Sequence, residues 1–276
     1  MTDDAEARSG DAADAGSEDD PDTDAGSEGD PDAAAGSEGD TNTDAGGKVD
    51  GDGGAHADEG PTPETGRAWD EYYRGDEWER EAGVAGTAAM TEMAGRFIDM
   101  VEPDDFASVG CGPAAAELEL AERYPDVEFY GFDRSPAIVE DDRREADARG
   151  LDNVQFAVDA LPRLETDRRF DVVYAVGMLY WVREIEDAIV DLYAHVRAGG
   201  QLVVNYPNRY LHYEVLDEES DADRDVAPLV RDAENLMTFD EVGRLLGSKP
   251  RSYYNLVGGE KHRELKWPIV VVEKRG

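Results

Sequence analysis

Positive charge is what this sequence has least of. Its 276 residues hold 27 lysines and arginines against 66 aspartates and glutamates, a formal net charge of −39. A surface this acidic repels phosphate backbones and anionic lipid headgroups, which argues against a broad nucleic-acid groove and against docking on anionic lipid. Cysteine is nearly missing: Cys111 stands alone, so there is no intrachain disulfide and no multi-cysteine zinc or iron–sulfur centre. Long apolar runs are missing as well, none approaching the ~18 residues of a membrane-spanning helix. Met1–Gly10 lacks the apolar core of a secretory signal. The expectation is a soluble cytoplasmic protein with no metal, nucleic-acid or membrane partner. Lysine is scarce even among the bases: Lys48, Lys249, Lys261, Lys266 and Lys274 stand against 22 arginines. Acid-rich, lysine-poor surfaces resemble those of salt-loving cytoplasms, where hydrated carboxylates keep a protein soluble and salt screens their repulsion.

The acids divide into two populations. Residues 1–60 carry 20 aspartates and glutamates against Arg8 and Lys48, with Met1 and Val49 as the only large apolar side chains. Such a segment buries too little surface to offset its chain entropy, so residues 1–64 are expected to form a disordered acidic tail. The tail repeats with a period of ten: DAGSEDDPDT from Asp14, DAGSEGDPDA from Asp24, AAGSEGDTNT from Ala34. It lacks the apolar positions that stack a solenoid and the spacings of calcium-binding loops.

From Thr65 to Gly276 the pattern becomes that of one folded domain. Arg67–Arg80 carries Trp69, Tyr72, Tyr73 and Trp78 on an expected helix, and Gly86–Val101 forms a second. Strands and helices then alternate as in an open α/β sheet. Strands are expected at Phe106–Val109, Val127–Phe132, Asn153–Val158, Phe170–Val176, Gln201–Asn205, Arg251–Val257 and Ile269–Glu273. Pro113 is read as the first residue of a helix running to Tyr124, and Ser135-Pro136 as the N-cap and first residue of a helix to Arg149. Glu184–Arg197 reads as a helix closed by Gly199-Gly200. Residues 206–237 break the rhythm and are expected to form an irregular cap, before a helix over Phe239–Leu246.

Ligands of open α/β sheets sit at the carboxyl ends of the strands. Four features of the sequence are placed at strand ends. Gly110-Cys111-Gly112 follows the first strand, where glycine admits close approach of a ligand. Asp133 ends the second strand, placed to accept hydrogen bonds from ribose hydroxyls. Asp159-Ala160 follows the third, where a carboxylate can accept from an adenine amino group. The fourth feature pairs Phe170-Asp171-Val172-Val173 with Arg197-Ala198-Gly199-Gly200.

Together these residues resemble the class I S-adenosylmethionine-dependent methyltransferases. The first motif of that family commonly reads hydrophobic-Leu-Asp-hydrophobic-Gly-Cys-Gly-x-Gly, and here it runs Ala107-Ser108-Val109-Gly110-Cys111-Gly112-Pro113-Ala114, with Ser108 in place of the acid and Ala114 in place of the third glycine. Tyr130–Pro136, Val158-Asp159-Ala160, Phe170–Val173 and Ala198–Leu202 follow the later motifs. The resemblance implies a Rossmann-like, seven-stranded mixed sheet, mostly parallel with an antiparallel last strand, flanked by helices. It implies S-adenosyl-L-methionine as cofactor, bound by Gly110, Cys111, Gly112, Asp133, Arg134, Asp159, Ala160 and Val176, with Tyr73 or Tyr72 closing over it. The acceptor is expected to be a small molecule. If its nucleophile carries a proton, a general base is needed. His212, Tyr180 and Tyr210 are the candidates, with Trp181, Tyr206 and Tyr213 nearby. Two other readings share the sheet: a non-catalytic cofactor-binding subunit and a nicotinamide-dependent oxidoreductase. Against the oxidoreductase, Pro113 and Ala115 stand where a pyrophosphate needs glycine.

The charge pattern carries its own test. Thermal unfolding of the full chain should shift upward as KCl rises from the millimolar to the molar range. A melting temperature independent of salt would overturn the salt-adapted reading of the acidic surface.

Overall fold

A computed structural model describes residues 88–217, 228–259 and 264–276. The expected tail, and the helix expected to carry Tyr72 and Tyr73, lie outside the described residues. Helix α1 (Ala88–Val101) leads into β1 (Asp105–Val109), α2 (Ala115–Arg123), β2 (Glu128–Asp133), α3 (Pro136–Arg149) and β3 (Val154–Val158). The chain then crosses to β4 (Phe170–Ala175), a 3-10 turn (Leu179–Trp181), α4 (Ile185–Ala194) and β5 (Val196–Asn205). It continues through α5 (Arg209–Leu216), α6 (Pro228–Arg231), α7 (Phe239–Leu246), β6 (Arg251–Ser252), α8 (Tyr253–Val257) and β7 (Ile269–Glu273).

The seven strands lie in the order β3-β2-β1-β4-β5-β7-β6. The pairs among β1 to β5 are parallel, and β7 runs antiparallel between β5 and β6. One face of the sheet packs on α1, α2, α3 and α8 through Phe97, Phe106, Phe129, Val139 and Tyr253. The other packs on α4 and α7 through Phe170, Ile189, Leu192, Leu202 and Val242. Because the chain leaves β1 toward β2 and β3 and then returns to β4, the switch point lies between the carboxyl ends of β1 and β4.

Local chemistry accounts for most boundaries. Ser135 caps α3 by accepting from the Ile138 N–H at 3.2 Å, Pro136 follows at the first position, and Gly150 closes the helix in the left-handed conformation. Thr238 and Glu241 form a reciprocal capping box on α7.

Four expectations are corrected. Pro113 does not open α2, which begins at Ala115, because Gly112 is left-handed at φ 52° and Ala114, the N-cap, stands outside helical geometry at ψ 45°. Helix α4 stops at Ala194 rather than Arg197, and β5 begins at Val196. The reason is Arg197, which donates to Asp105 Oδ2 at 2.6 Å and Asp171 Oδ1 at 2.9 Å and so lies along β4. Arg251–Val257 is a strand for two residues only; Ser252 then accepts from the Asn255 N–H and turns the chain into α8, which buries Tyr253 and Tyr254. Residues 206–237 are not wholly irregular, since they contain α5 and α6.

The Arg197 cluster joins the amino ends of three strands. Asp105 also accepts the Asp171 N–H at 2.7 Å, and Asp171 accepts the Asp104 N–H at 3.0 Å. Arg197→Ala leaves the buried Asp105 without its cation. With Arg197 itself 42% exposed and therefore screened, the expected loss is about 1–2 kcal/mol in chemical denaturation.

Candidate active site

The loop Gly110–Ala115 is held at every backbone donor. The N–H groups of Gly110 and Cys111 donate to Phe132 O at 2.7 and 3.1 Å. Gly112 donates to Asp133 Oδ2 at 3.0 Å, and Ala114 to Asp142 Oδ1 at 3.1 Å. Pro113 has no N–H, and Ala115 turns back to Pro113 O at 2.6 Å. Gly110 and Gly112 take positive φ values of 69° and 52°. A Cβ at Gly110 would also lie 2.8 Å from the Met178 side chain, which comes from the end of β4 across the switch point.

Asp133 sits at the end of β2, 5% exposed. Its Oδ1 takes the Ser135 N–H at 2.9 Å and its Oδ2 takes Gly112, leaving each oxygen further acceptor capacity. Burial raises its carboxyl above the usual range, while the Ser135 and Gly112 N–H groups oppose that rise. Arg134 is half-buried beside it, and desolvation lowers its guanidinium from the ordinary value.

Two further carboxyls stand under the loop, and neither was singled out by the sequence reading. Glu117 of α2 accepts from Ser108 Oγ at 2.6 Å in the interior. A carboxyl thus reaches the motif position that Ser108 leaves without one. Asp142 of α3, 5% exposed, has Oδ1 on Ala114 and no partner on Oδ2. Desolvation and the charges of Glu117 and Asp133 push Asp142 up to about 8. Burial raises Glu117 too, and burial with these acids drives the Cys111 thiol well up, so this cysteine is an inert packing group rather than a thiolate. The sequence did carry a signal: Glu117 falls among the core-facing positions Ala114, Leu118 and Ala121, and Asp142 among Ile138, Val139 and Ala146.

The remaining candidates are distributed unevenly. Asp159 and Ala160 are half-buried at the end of β3. Asp159 clasps its own loop: Oδ1 accepts from Ala160 and Glu165, and Oδ2 from Glu165 and Thr166, at 2.9–3.3 Å. The far side of this loop is tied to α4, with His195 Nε2 2.9 Å from Thr166 O. Val176 is 6% exposed and packs in the core. Tyr180 is buried and donates its hydroxyl to Asn205 Oδ1; burial holds its phenol well above the ordinary value. Tyr210 is exposed, with its hydroxyl accepting from Arg209 at 3.2 Å. His212 lies with Nδ1 2.8 Å from Val230 O, tying α5 to α6. Tyr73 lies outside the described residues. Asp171 and Arg197, expected at the ligand edge, sit instead at the amino ends of β4 and β5, where they serve the sheet. Among the described residues there is no group of three or more metal-ligating side chains, and no helix long and apolar enough to cross a membrane.

A carboxyl that binds its proton more tightly folded than unfolded stabilises the fold most at low pH. For Asp142 that contribution is complete below about pH 4, its unfolded range, and is lost as pH rises through about 8. Thermal melts from pH 5 to 9 should therefore fall less steeply for Asp142→Asn than for the native chain. Parallel curves would remove Asp142 from this role.

Comparison with known proteins places this geometry. The model of a family described as "Methyltransferase domain" matches residues 107–255, more than half of the chain. A trans-aconitate 2-methyltransferase of Methylobacterium radiotolerans is 30% identical over 122 residues, 44% of this chain and 45% of that protein. One of Streptomyces coelicolor is 27% identical over 150 residues, 54% of this chain and 48% of that protein. The chain thus spans about half the length of the curated relatives it matches. Among solved structures, the plantazolicin methyltransferase BpumL in complex with SAH aligns at a TM-score of 0.55 and 12% identity, over 76% of this chain and 94% of that one. An S-adenosylmethionine-dependent methyltransferase from Clostridium acetobutylicum aligns at 0.55 and 12%, over 75% and 99%. These likenesses carry the fold, and the family match carries the assignment: the chain belongs to the methyltransferase-domain family, within the class I S-adenosylmethionine-dependent group whose motifs its strand ends bear.

Proposed function

We propose that this domain binds S-adenosylmethionine at the carboxyl ends of β1, β2 and β3 and transfers its methyl group to a small carboxylic acid. The observation that carries the cofactor reading is the saturated glycine loop. A dinucleotide's pyrophosphate is bound by free backbone N–H groups at a helix N-terminus. Here the donors from Gly110 to Ala115 are committed to protein acceptors, two of them carboxylates. Such a loop repels an anion and suits a ligand carrying positive charge and few phosphates. This speaks against the nicotinamide-dependent reading.

In this assignment Asp133 accepts from the ribose hydroxyls, and Gly110 and Gly112 let the ligand lie against the backbone. Asp159 shapes the loop that bears Ala160 at the adenine end, and Met178 covers Gly110. Arg134 stands beside the ribose carboxylate, while Val176 supports the floor from the core. S-adenosylmethionine supplies a methyl group on a sulfonium and leaves as a neutral thioether. The chain's part is then to align acceptor and methyl group and to exclude water.

Support for a carboxylic acceptor comes from the candidate bases. The Tyr180 hydroxyl is donated to Asn205, that of Tyr210 is engaged by Arg209, and His212 braces α5 against α6. An ionised carboxylate already presents its lone pair and needs no base at neutral pH. Arg209, at the start of α5 after β5, has no acidic partner among the described residues, whereas Arg183, Arg231 and Lys266 pair with Glu234, Asp232 and Glu214. The names of the trans-aconitate methyltransferases agree with an acceptor of this class.

Calorimetric titration of the full chain should show binding of S-adenosylmethionine and none of NADH; the reverse would overturn the reading. In a folded Asp133→Ala variant, loss of charge-assisted hydrogen bonds should weaken the cofactor Kd by about tenfold or more. With trans-aconitate and related acids as acceptors, His212→Asn should keep kcat within about threefold. A drop of about a hundredfold, in the range of general-base catalysis, would favour a protonated nucleophile instead.

A further inference from the structure

Three carboxyls converge on one small volume behind the glycine loop. Glu117 arrives from α2, Asp133 from the end of β2 and Asp142 from α3, each at most 9% exposed. They act on one another electrostatically: Asp142 feels Glu117, Asp133 and its helix neighbour Asp141, and Glu117 feels Asp133. Cys111 faces the same three acids from the loop. The positive group at this place is Arg134, which acts on Asp133; Arg143, next to Asp142, is directed to Phe156 O on β3.

The hydrogen bonds separate the three. Asp133 is fixed by two N–H donors that favour its charged form. Glu117 has the Ser108 hydroxyl, and Asp142 has the Ala114 N–H on one oxygen and nothing on the other, although it is 95% buried. Buried like charges without a counter-cation do not all ionise. Asp142, pushed up to about 8 and with one oxygen lacking any donor, is the acid of the three least supported in its charged form, and burial shifts Glu117 in the same direction.

We propose that Glu117 and Asp142 form a proton-holding carboxyl pair that reads the charge of the bound cofactor. The pair keeps its proton beside the neutral thioether product and releases it to solvent when the cationic sulfonium cofactor binds against the glycine loop. This rests on the cofactor reading above and adds a coupling to it. Binding of a cation favours the ionised pair, and by linkage ionisation of the pair favours the cation. Methyl transfer removes the positive charge from sulfur, so the pair recovers a proton from solvent and its attraction for the ligand falls. The affinity for substrate cofactor relative to product thereby rises as pH rises.

The test is proton release on binding. The full chain is titrated with S-adenosylmethionine and with S-adenosylhomocysteine at pH 7.5, in buffers of different ionisation enthalpy. The cationic ligand should release roughly half a proton more than the neutral one, as linkage to a group titrating in this range requires. The ratio of the two Kd values should move toward the cationic ligand between pH 6 and 9, by severalfold. In Asp142→Asn and Glu117→Gln, the excess proton and the pH dependence of the ratio should both shrink, even where overall affinity is retained. Equal proton release with the two ligands, or an excess that survives in both variants, would overturn the proposal. If the variants fail to fold, the comparison of the two ligands on the native chain still decides it. If neither ligand binds, the cofactor reading itself fails, a result distinct from equal proton release.

Discussion

The structure around the glycine turn depends on one constraint: every backbone donor of the turn after β1 has a protein acceptor, and two of those acceptors are carboxylates from other elements. Asp133 holds Gly112 and Asp142 holds Ala114, α2 starts at Ala115, and Gly110 and Gly112 keep left-handed conformations. A free loop at this place would bind phosphate. A loop closed by carboxylates turns its field toward cations, which is the basis of the cofactor proposal.

The opposite edge obeys a different logic. Arg197 binds Asp105 and Asp171 at the amino ends of three adjacent strands. There the ion pair sits at the end of the strands opposite the glycine turn, where β5 begins. Neighbouring acids of similar appearance in the sequence thus divide by strand end: Asp133 and Asp159 hold backbone N–H groups at the carboxyl ends of β2 and β3, whereas Asp105 and Asp171 bind Arg197 at the amino ends of β1 and β4. Asp159 shows a third use, clasping the loop Ala160–Thr166 through both oxygens, while His195 ties that loop to α4.

Much of this was legible without coordinates. The alternation of short apolar runs with amphipathic stretches placed strands one to four within one or two residues. Ser135-Pro136 marked the start of α3, which ends at Arg149 as expected, since caps are local chemistry. The misreadings have a common source. Gly199-Gly200 looked like a helix stop, and Arg251–Val257 like a strand. In one case a distant ion pair, and in the other the burial of two tyrosines, outweighed the local pattern. Glu117 and Asp142 were overlooked because single acids on helices are ordinary in so acidic a chain. Only their place on the apolar stripe set them apart.

The sequence by itself determined the order of the elements, the glycine turn after β1 and the acid that ends β2. These follow from periodicity and from backbone demands that a few adjacent residues express. The tertiary structure alone decided which donors of the turn remain available and which acids lose their water. Those depend on side chains 21 to 28 residues away in sequence meeting at hydrogen-bond distance. Desolvation is a property of the assembled interior. The protonation and charge of the site therefore exist only once α2, α3 and the sheet have closed around it.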